Sequence, residues 1–497
     1  MPKRILIVGA GPGGLATAMR LAATGYQVEI YEAADRVGGR MRGLELGPYQ
    51  FDTGPTILQL PRVYEELFAA CGLSFGDYVR LIRLDPNTRI KFWDGAHLDL
   101  TSNLAAFKAQ LAAFGPGLPA AFERWYLEHL RKEAVGYGPY LGSPVRPPLG
   151  YLRPAELAAA LPFRPWETLY QHFARFFSDE RLVYAMGYQA KYLGMHPTAC
   201  SSIFSLVTFL EFHYGIWHPE GGFRALARGL ARAAEDLGVR IHLGRPVRQV
   251  LVEGGRATGL LMAGGERIPA DAVVVNADFA HAVQHLLPAH ARGPYSDRKL
   301  AKLEFSCSTF MLYLGVDRRW DELPHHQLYL SQNIRRRDPM WARSAVLDED
   351  DPSLYVCNPT IVDPGNAPPG HSTLFVLVPV PNLREPVDWA AKRGPYRELV
   401  LRQMAKLGYE GVERHIVAEH VYTAETWRDE HRIHLGAVFN LIHSWRQLGP
   451  LRPHIRHRGA RGLYWIGGAV HPGSGLMTIL EAAKSAAHFI AEDLPPQ

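Results

Sequence analysis

Residues Val8 to Arg40 read VGAGPGGLATAMRLAATGYQVEIYEAADRVGGR, and Gly9, Gly11 and Gly14 stand in the spacing G-x-G-x-x-G. That spacing suits phosphate chemistry. The first glycine permits a tight turn, the second lets backbone approach a pyrophosphate, and the third lets a helix pack closely on a strand. Amides at the start of the following helix then hold phosphate oxygens. Glu32 ends the next strand, where a carboxylate accepts hydrogen bonds from ribose hydroxyls. Gly13 within the turn and Ala33 beside the acid are counted with this candidate dinucleotide site. An isolated G-x-G-x-x-G is often an ordinary turn, but here strand, helix, strand and acid follow in register.

The elements that must position these residues are legible around them. RILIVGA is a continuous apolar run, as expected of a strand covered on both faces. GPGGLATAMRLAATG carries helical apolar spacing at Leu15, Ala18, Met19 and Leu21, with Gly25 as a plausible helix stop, and YQVEIYEA is the second strand. The chain returns to this unit later. A helix is predicted from Phe223 to Leu237, then strands at Arg240 to Leu243 and Val247 to Val252, and an apolar run from Ala272 to Val275 that ends at Asn276. Near the end, RGLYWIGGAV predicts a strand from Leu463 to Ile466, a glycine loop at Gly467 and Gly468, and then an amphipathic helix. The first-turn amides of that helix, near Met477 and Thr478, can stabilise negative charge on a bound ring.

Gly38, Gly39 and Arg40 follow the acidic strand, where a nicotinamide site has no need of them. Together with FDTGPTIL (Phe51 to Leu58), this order resembles the large flavoprotein group that includes amine oxidases and carotenoid desaturases. The resemblance implies FAD, with contacts from Gly39, Arg40, Gly54, Pro55 and Thr56. It also implies that Val247 meets the adenine through its backbone and that Asn276 and Ala277 close the cofactor site. Amine oxidases usually carry an acid in the last glycine loop, where this chain has Gly468 and Ala469.

WHPEGG (Trp217 to Gly222), HHQLYLS (His325 to Ser331), HPGSG (His471 to Gly475) and the stretch from Asp351 to Leu383 together resemble the bacterial-type phytoene desaturase family, over nearly the whole chain. That resemblance implies an α/β fold: a Rossmann-type FAD-binding domain (1–75, 218–300 and 420–497), a mixed-sheet substrate domain (76–103 and 301–419) and a helical, membrane-facing lobe (104–217). It implies desaturation of an acyclic carotenoid, a hydrophobic polyene, by hydride transfer to flavin and proton loss, with quinone or oxygen as electron acceptor. An oxygenase or ketolase, an isomerase or saturase, and a non-catalytic prenyl-lipid escort protein are the alternatives on the same fold. The helical middle carries no fixed motif.

Composition excludes other classes. The chain has 497 residues, 47% hydrophobic and 21% charged, a mean hydropathy of −0.12, and a net charge of +5 with pI about 8.9. That balance suits loose contact with an anionic membrane surface and is too weak to argue nucleic acid. Cys71, Cys200, Cys307 and Cys357 are far apart, as in a reducing compartment. There is no signal-peptide pattern, and no apolar run reaches the roughly 18 residues of a membrane span. The expected location is cytoplasmic, peripheral to the membrane, with Arg146 to Phe177, including Leu161, Phe163 and Trp166, as an interfacial segment.

No G-x-S-x-G, P-loop or C-x-x-C is present. The pairs His431/His434 and His454/His457 have i,i+3 spacing but no acid or cysteine partners, so they read as a solvated basic face, and no metal is expected. His471, Glu481 and Lys484 fall near the flavin end and read as structural, which leaves the catalytic acid or base unassigned.

Overall fold

The computed structural model describes residues 2–136, 161–336 and 346–496. Its parallel sheet has the strand order Leu463–Trp465, Ala272–Val275, Arg4–Val8, Gln27–Tyr31 and Arg240–His242. Ile5, Leu6, Ile7 and Val273 to Val275 are fully buried, because helices cover the sheet and leave no polar face. The helix Pro12–Ala23 packs against the helices Phe223–Asp236 and Leu476–Asp493. Pro12 opens the first of these at a position where its missing N–H costs nothing. The helix stops at Thr24, and Gly25 turns the chain into the next strand with φ +93°. A three-stranded antiparallel sheet, Val247–Glu253, Arg256–Met262 and Arg267–Pro269, joins this unit.

The second large sheet is mixed, with seven strands in the order Ile416–Tyr422, Ser308–Val316, Ser372–Val380, Leu354–Cys357, His326–Leu330, Thr88–Phe92 and His97–Leu100. One pair, His326–Leu330 with Thr88–Phe92, is parallel and the others are antiparallel. Period-two alternation decides what each face does. Phe310, Leu312, Leu314, Leu374, Val376 and Val378 pack in one core with Trp389, Tyr396 and Val400 of the helix Trp389–Met404. The odd-numbered residues face the opposite way, and Thr309, Met311, Phe375, Leu377 and Pro379 among them line a large cavity.

The intervening region contains the helices Leu104–Phe114, Leu118–Gly136, Leu169–Ala174, Glu180–Met186 and Ser205–Tyr214. Phe107, Phe122, Trp125 and Phe212 form an aromatic centre among them. Two boundaries expected from sequence are crossed by strand pairing. Ile216–Pro219 pairs with Leu81–Leu84, and Ile416–Tyr422 is one continuous edge strand through position 419. Composition cannot reveal a boundary that backbone pairing bridges.

Among the described residues no helix is long and apolar enough to cross a membrane. Positions 146–160 of the expected interfacial segment lie outside the described residues. In the remainder Leu161 is 58% and Trp166 64% exposed, whereas Phe163 is buried, with Lys132 Nζ 5.9 Å from its ring centroid. Phe163 is therefore corrected from surface anchor to core residue. All four cysteines are free and buried.

Candidate active site

The glycine turn is built as its spacing demands. Gly9 sits at φ +98° with its N–H donating to the Tyr31 carbonyl at 2.8 Å, and a Cβ there would lie 2.7 Å from the Asn276 carbonyl oxygen. At Gly14 a Cβ would collide with the Gly9 carbonyl oxygen and come within 3.0 Å of Asn276 Nδ2. Asn276 Nδ2 in turn donates to the Gly9 carbonyl at 3.3 Å, locking two parallel strands at their C-terminal ends. Glu32 accepts from the Ala10 and Ala34 amides, each at 2.8 Å, one at each carboxylate oxygen. Two bonds leave further lone pairs on this half-buried carboxylate for hydroxyl donors.

Arg40 lies in the middle of a short turn at Gly39–Met41 and bridges distant segments. Its guanidinium donates to the Val438 carbonyl at 2.8 Å and to Asn440 Oδ1 at 2.7 Å, with Asp278 at 3.5 Å. The Thr53 hydroxyl donates to the Arg40 carbonyl at 2.8 Å, and Gly54 leaves no room there for a side chain. Asp52 is structural: it accepts from the Phe223 and Arg224 amides at 2.8 and 3.0 Å, satisfying free N–H groups at that helix start.

A cavity of about 570 Å³ lies along these groups. Of the expected site residues, Gly9, Gly11, Gly13, Glu32, Ala33, Gly39, Arg40, Gly54, Pro55, Thr56, Val247, Asn276, Gly467 and Gly468 line it. Gly14 stands behind the turn. Met477 and Thr478 are not on its wall; Gly475, Leu476 and Ile479 are, because the helix turns its second and third residues aside. The Thr478 hydroxyl is bonded to the Ser474 carbonyl at 2.7 Å.

His471, Glu481 and Lys484 also lie off the wall. Burial holds the His471 imidazole down to about 3, and Lys484 pairs with Glu66 at 3.3 Å. The histidine pairs need correction. His431 borders the cavity beside Trp427, His434 rests on Phe305, and His457 is buried between the Ala291 carbonyl and the Trp465 indole. None forms a solvated face. The 431–434 segment is not helical, since Arg432 has φ +55°, so its i,i+3 spacing brings nothing together.

The remaining cavity wall was not legible in the sequence. Gln59, Tyr188, Lys191, Tyr192 and Tyr355 reach it from scattered segments. The Thr56 and Tyr355 hydroxyls meet at 2.7 Å, and Tyr355 reaches His326 Nδ1 at 2.7 Å. Behind them, cross-strand register brings His326 to Cys357, and with His325 their ligand-type atoms lie within 4.8 Å of one another. Arg452 was missed as well. Burial lowers its pKa to about 9, and it donates to the carbonyls of Leu441, Ile442, Gln447 and Gly468, fixing the last glycine loop.

The cavity fits FAD. Glycines keep a cradle open that a Cβ would fill, an acid with free lone pairs stands at the ribose position, and two helix N-termini face inward. The model of the flavin-containing amine oxidoreductases matches residues 12–490, and the chain belongs to that family. It is an FAD-dependent oxidoreductase.

Within the family its relatives include carotenoid desaturases. The all-trans-zeta-carotene desaturase of Myxococcus xanthus is 48% identical over 496 residues, covering 99% of this chain and 94% of the relative. The zeta-carotene-forming phytoene desaturase of the same organism is 38% identical over 487 residues, covering 97% and 92%. A solved oxidoreductase from Methanosarcina mazei shares the fold at TM-score 0.62 and 17% identity, covering 98% of this chain and all of that one.

Proposed function

We propose that this protein desaturates an acyclic carotenoid and that a partly desaturated substrate of the zeta-carotene type is the favoured one. The observation that carries the reading is a single cavity joining the glycine turn of the parallel sheet to the odd-numbered face of the mixed sheet. One end is polar and backbone-lined. The other presents Met311, Leu328, Phe375, Leu377 and Trp427, a wall for a hydrocarbon.

In this reading Glu32 takes the ribose hydroxyls, while Gly9, Gly11, Gly13 and Gly14 shape the pyrophosphate turn, with Ala33 and Val247 toward the adenine. Gly39, Arg40 and the Gly54–Pro55–Thr56 turn run along the pyrophosphate toward the ring. Asn276, Gly467 and Gly468 close the site, and the Met477 and Thr478 amides lie in the first turn of the helix that starts at Leu476 on the cavity wall. When bound, FAD supplies the hydride acceptor and passes its electrons on to a quinone or oxygen. The apolar wall keeps water from the reacting carbons, and Arg40 holds the Val438–Asn440 segment against the site.

A long polyene has no useful aqueous concentration, so it enters from a bilayer. Exposed Leu127, Leu161 and Trp166 provide apolar contact and Arg164 and Arg175 headgroup contact, for a cytoplasmic protein held at the membrane surface. Anaerobic mixing of the holoprotein with zeta-carotene in liposomes should bleach the oxidised flavin band while a longer-wavelength polyene forms. A product carrying oxygen, strict dependence on NADPH, or activity lost to chelators would refute the reading.

A further inference from the structure

Removing two hydrogens from neighbouring carbons leaves one proton to be placed, and an apolar cavity has nowhere obvious to put it. Glu211 lies just behind the wall on the helix Ser205–Tyr214, 2% exposed, a carboxylate in the protein interior. Gln59 Nε2 donates to its Oε1 at 2.7 Å, and Gln189 Nε2 donates to its Oε2 at 2.9 Å. The Tyr188 hydroxyl donates to the same Oε2 at 3.2 Å, and the Tyr188 and Tyr192 hydroxyls are 2.6 Å apart. Gln59, Tyr188 and Tyr192 all line the cavity. The arrangement is a carboxylate with a two-hydroxyl wire to the substrate space.

Its polar surroundings are neutral. The elements packed around Glu211 offer Tyr188, Gln189 and Tyr192 from one segment, Gln59 from a second, and Asn87 with Thr88 from a third. Lys191 faces the same cavity, on the side of Cys307. Among the described residues no arginine or lysine is ion-paired with Glu211. Burial therefore pushes the carboxyl's pKa above its ordinary value. The two side-chain NH2 groups of Gln59 and Gln189, which can only donate, favour the ionised form. A structural carboxylate in a core would more often be paired with a cation or replaced by an apolar side chain.

We propose that Glu211 is the proton-accepting group of the desaturation, reached through Tyr192 and Tyr188. The inference rests on the desaturase reading above. As the hydride leaves one carbon for the flavin, the neighbouring C–H bond breaks and its electron pair becomes the new π bond. That proton lands on the Tyr192 oxygen, the Tyr192 proton passes to Tyr188, and the Tyr188 proton passes to Glu211 Oε2. No charge is left on either phenol, consistent with burial holding both well above the ordinary tyrosine range.

The test is stopped-flow flavin reduction by zeta-carotene in liposomes, with the holoprotein, across a range of pH. Wild type should slow as pH falls through the Glu211 pKa, since a protonated acceptor takes no proton. Glu211→Gln should lose about 100-fold in the reduction rate together with that acid limb, and Glu211→Asp should recover part of both. FAD affinity should be unchanged in each. Independently, the infrared difference spectrum of wild type on reduction should show a new carboxylic-acid C=O band that shifts in D₂O and is absent from Glu211→Gln. A Glu211→Gln rate within twofold of wild type, with the acid limb intact, would overturn the proposal. So would a wild-type spectrum without that band, which decides the matter even if the variant does not fold. No bleaching by any acyclic carotene in wild type would refute the desaturase reading itself, and this inference with it.

Discussion

Gly14→Ala probes the third glycine of the turn, which touches no ligand and acts entirely through packing. Alanine in a helix interior is about 1 kcal/mol better than glycine, which favours the variant. Against this, the new Cβ would meet the Gly9 carbonyl inside any permitted contact, and Asn276 Nδ2 and Cβ at 3.0 and 3.3 Å. The Gly9 oxygen belongs to backbone, so no side-chain rotation relieves it, and either the helix or the turn must retreat. Overpacking of this kind costs about 1–3 kcal/mol, so the net effect is a loss of up to about 2 kcal/mol. Retreat also moves the Gly9–Asn276 pair that lines the site, so FAD affinity should fall by about tenfold or more, the equivalent of roughly 1.4 kcal/mol. Urea unfolding of apoprotein and flavin titration measure the two effects separately. Gly76→Ala is the control, because nothing lies within 4 Å of a Cβ there and the midpoint should not move. A Gly14→Ala protein with wild-type midpoint and wild-type FAD affinity would refute the packing argument.

Glu32→Ala should fold and lose its flavin, since each hydrogen bond to the charged carboxylate is worth about 1.5–3 kcal/mol; retention at wild-type affinity, read by absorbance after gel filtration, would contradict the assignment. Acid should unfold the protein early. Burial lowers His129, His326 and His471 to about 3, and holds His325 and His443 well below the ordinary value near 6.5, so below that value the unfolded chain binds more protons than the folded one. Stability is then complete above about pH 6.5 and is lost as pH falls toward 3, by up to about 1.4 kcal/mol per unit for each histidine. A melting temperature that stays flat between about pH 7 and 4.5 would exclude this. In flotation with anionic liposomes, changing Leu161 and Trp166 to serine should reduce the floated fraction several-fold, and equal flotation would remove this segment as the anchor.

The parts of the fold legible in the sequence were those where local pattern and chemistry coincide. The first strand, helix and acid announce themselves because a buried parallel strand must be continuously apolar and the turn tolerates no side chain. Glu211, Gln59 and Tyr188 could not be paired in advance. They converge from segments up to 152 positions apart, and a buried acid on an apolar helix carries no label in one dimension. The same limit explains Arg452, whose partners are all backbone carbonyls. His431 and His434 misled in the opposite direction: spacing has meaning only on a regular helix, and Arg432 breaks the regularity. Phe163 looked like an anchor because an aromatic among arginines reads alike whether it faces lipid or core.

The parallel sheet places the earliest strand, Arg4–Val8, beside Ala272–Val275, which in turn pairs with Leu463–Trp465. The Tyr26 hydroxyl closes the same unit by donating to the Leu494 carbonyl at 2.6 Å, across 468 positions of chain. During synthesis at about 5–20 residues per second, the glycine turn therefore leaves the ribosome roughly 25–90 s before its last neighbour exists. Flavin capture is a late event in the life of each molecule. Until then an apolar strand and an open cradle stand exposed, so the yield of active enzyme should respond to chaperone supply and to slow codons well upstream of Leu463.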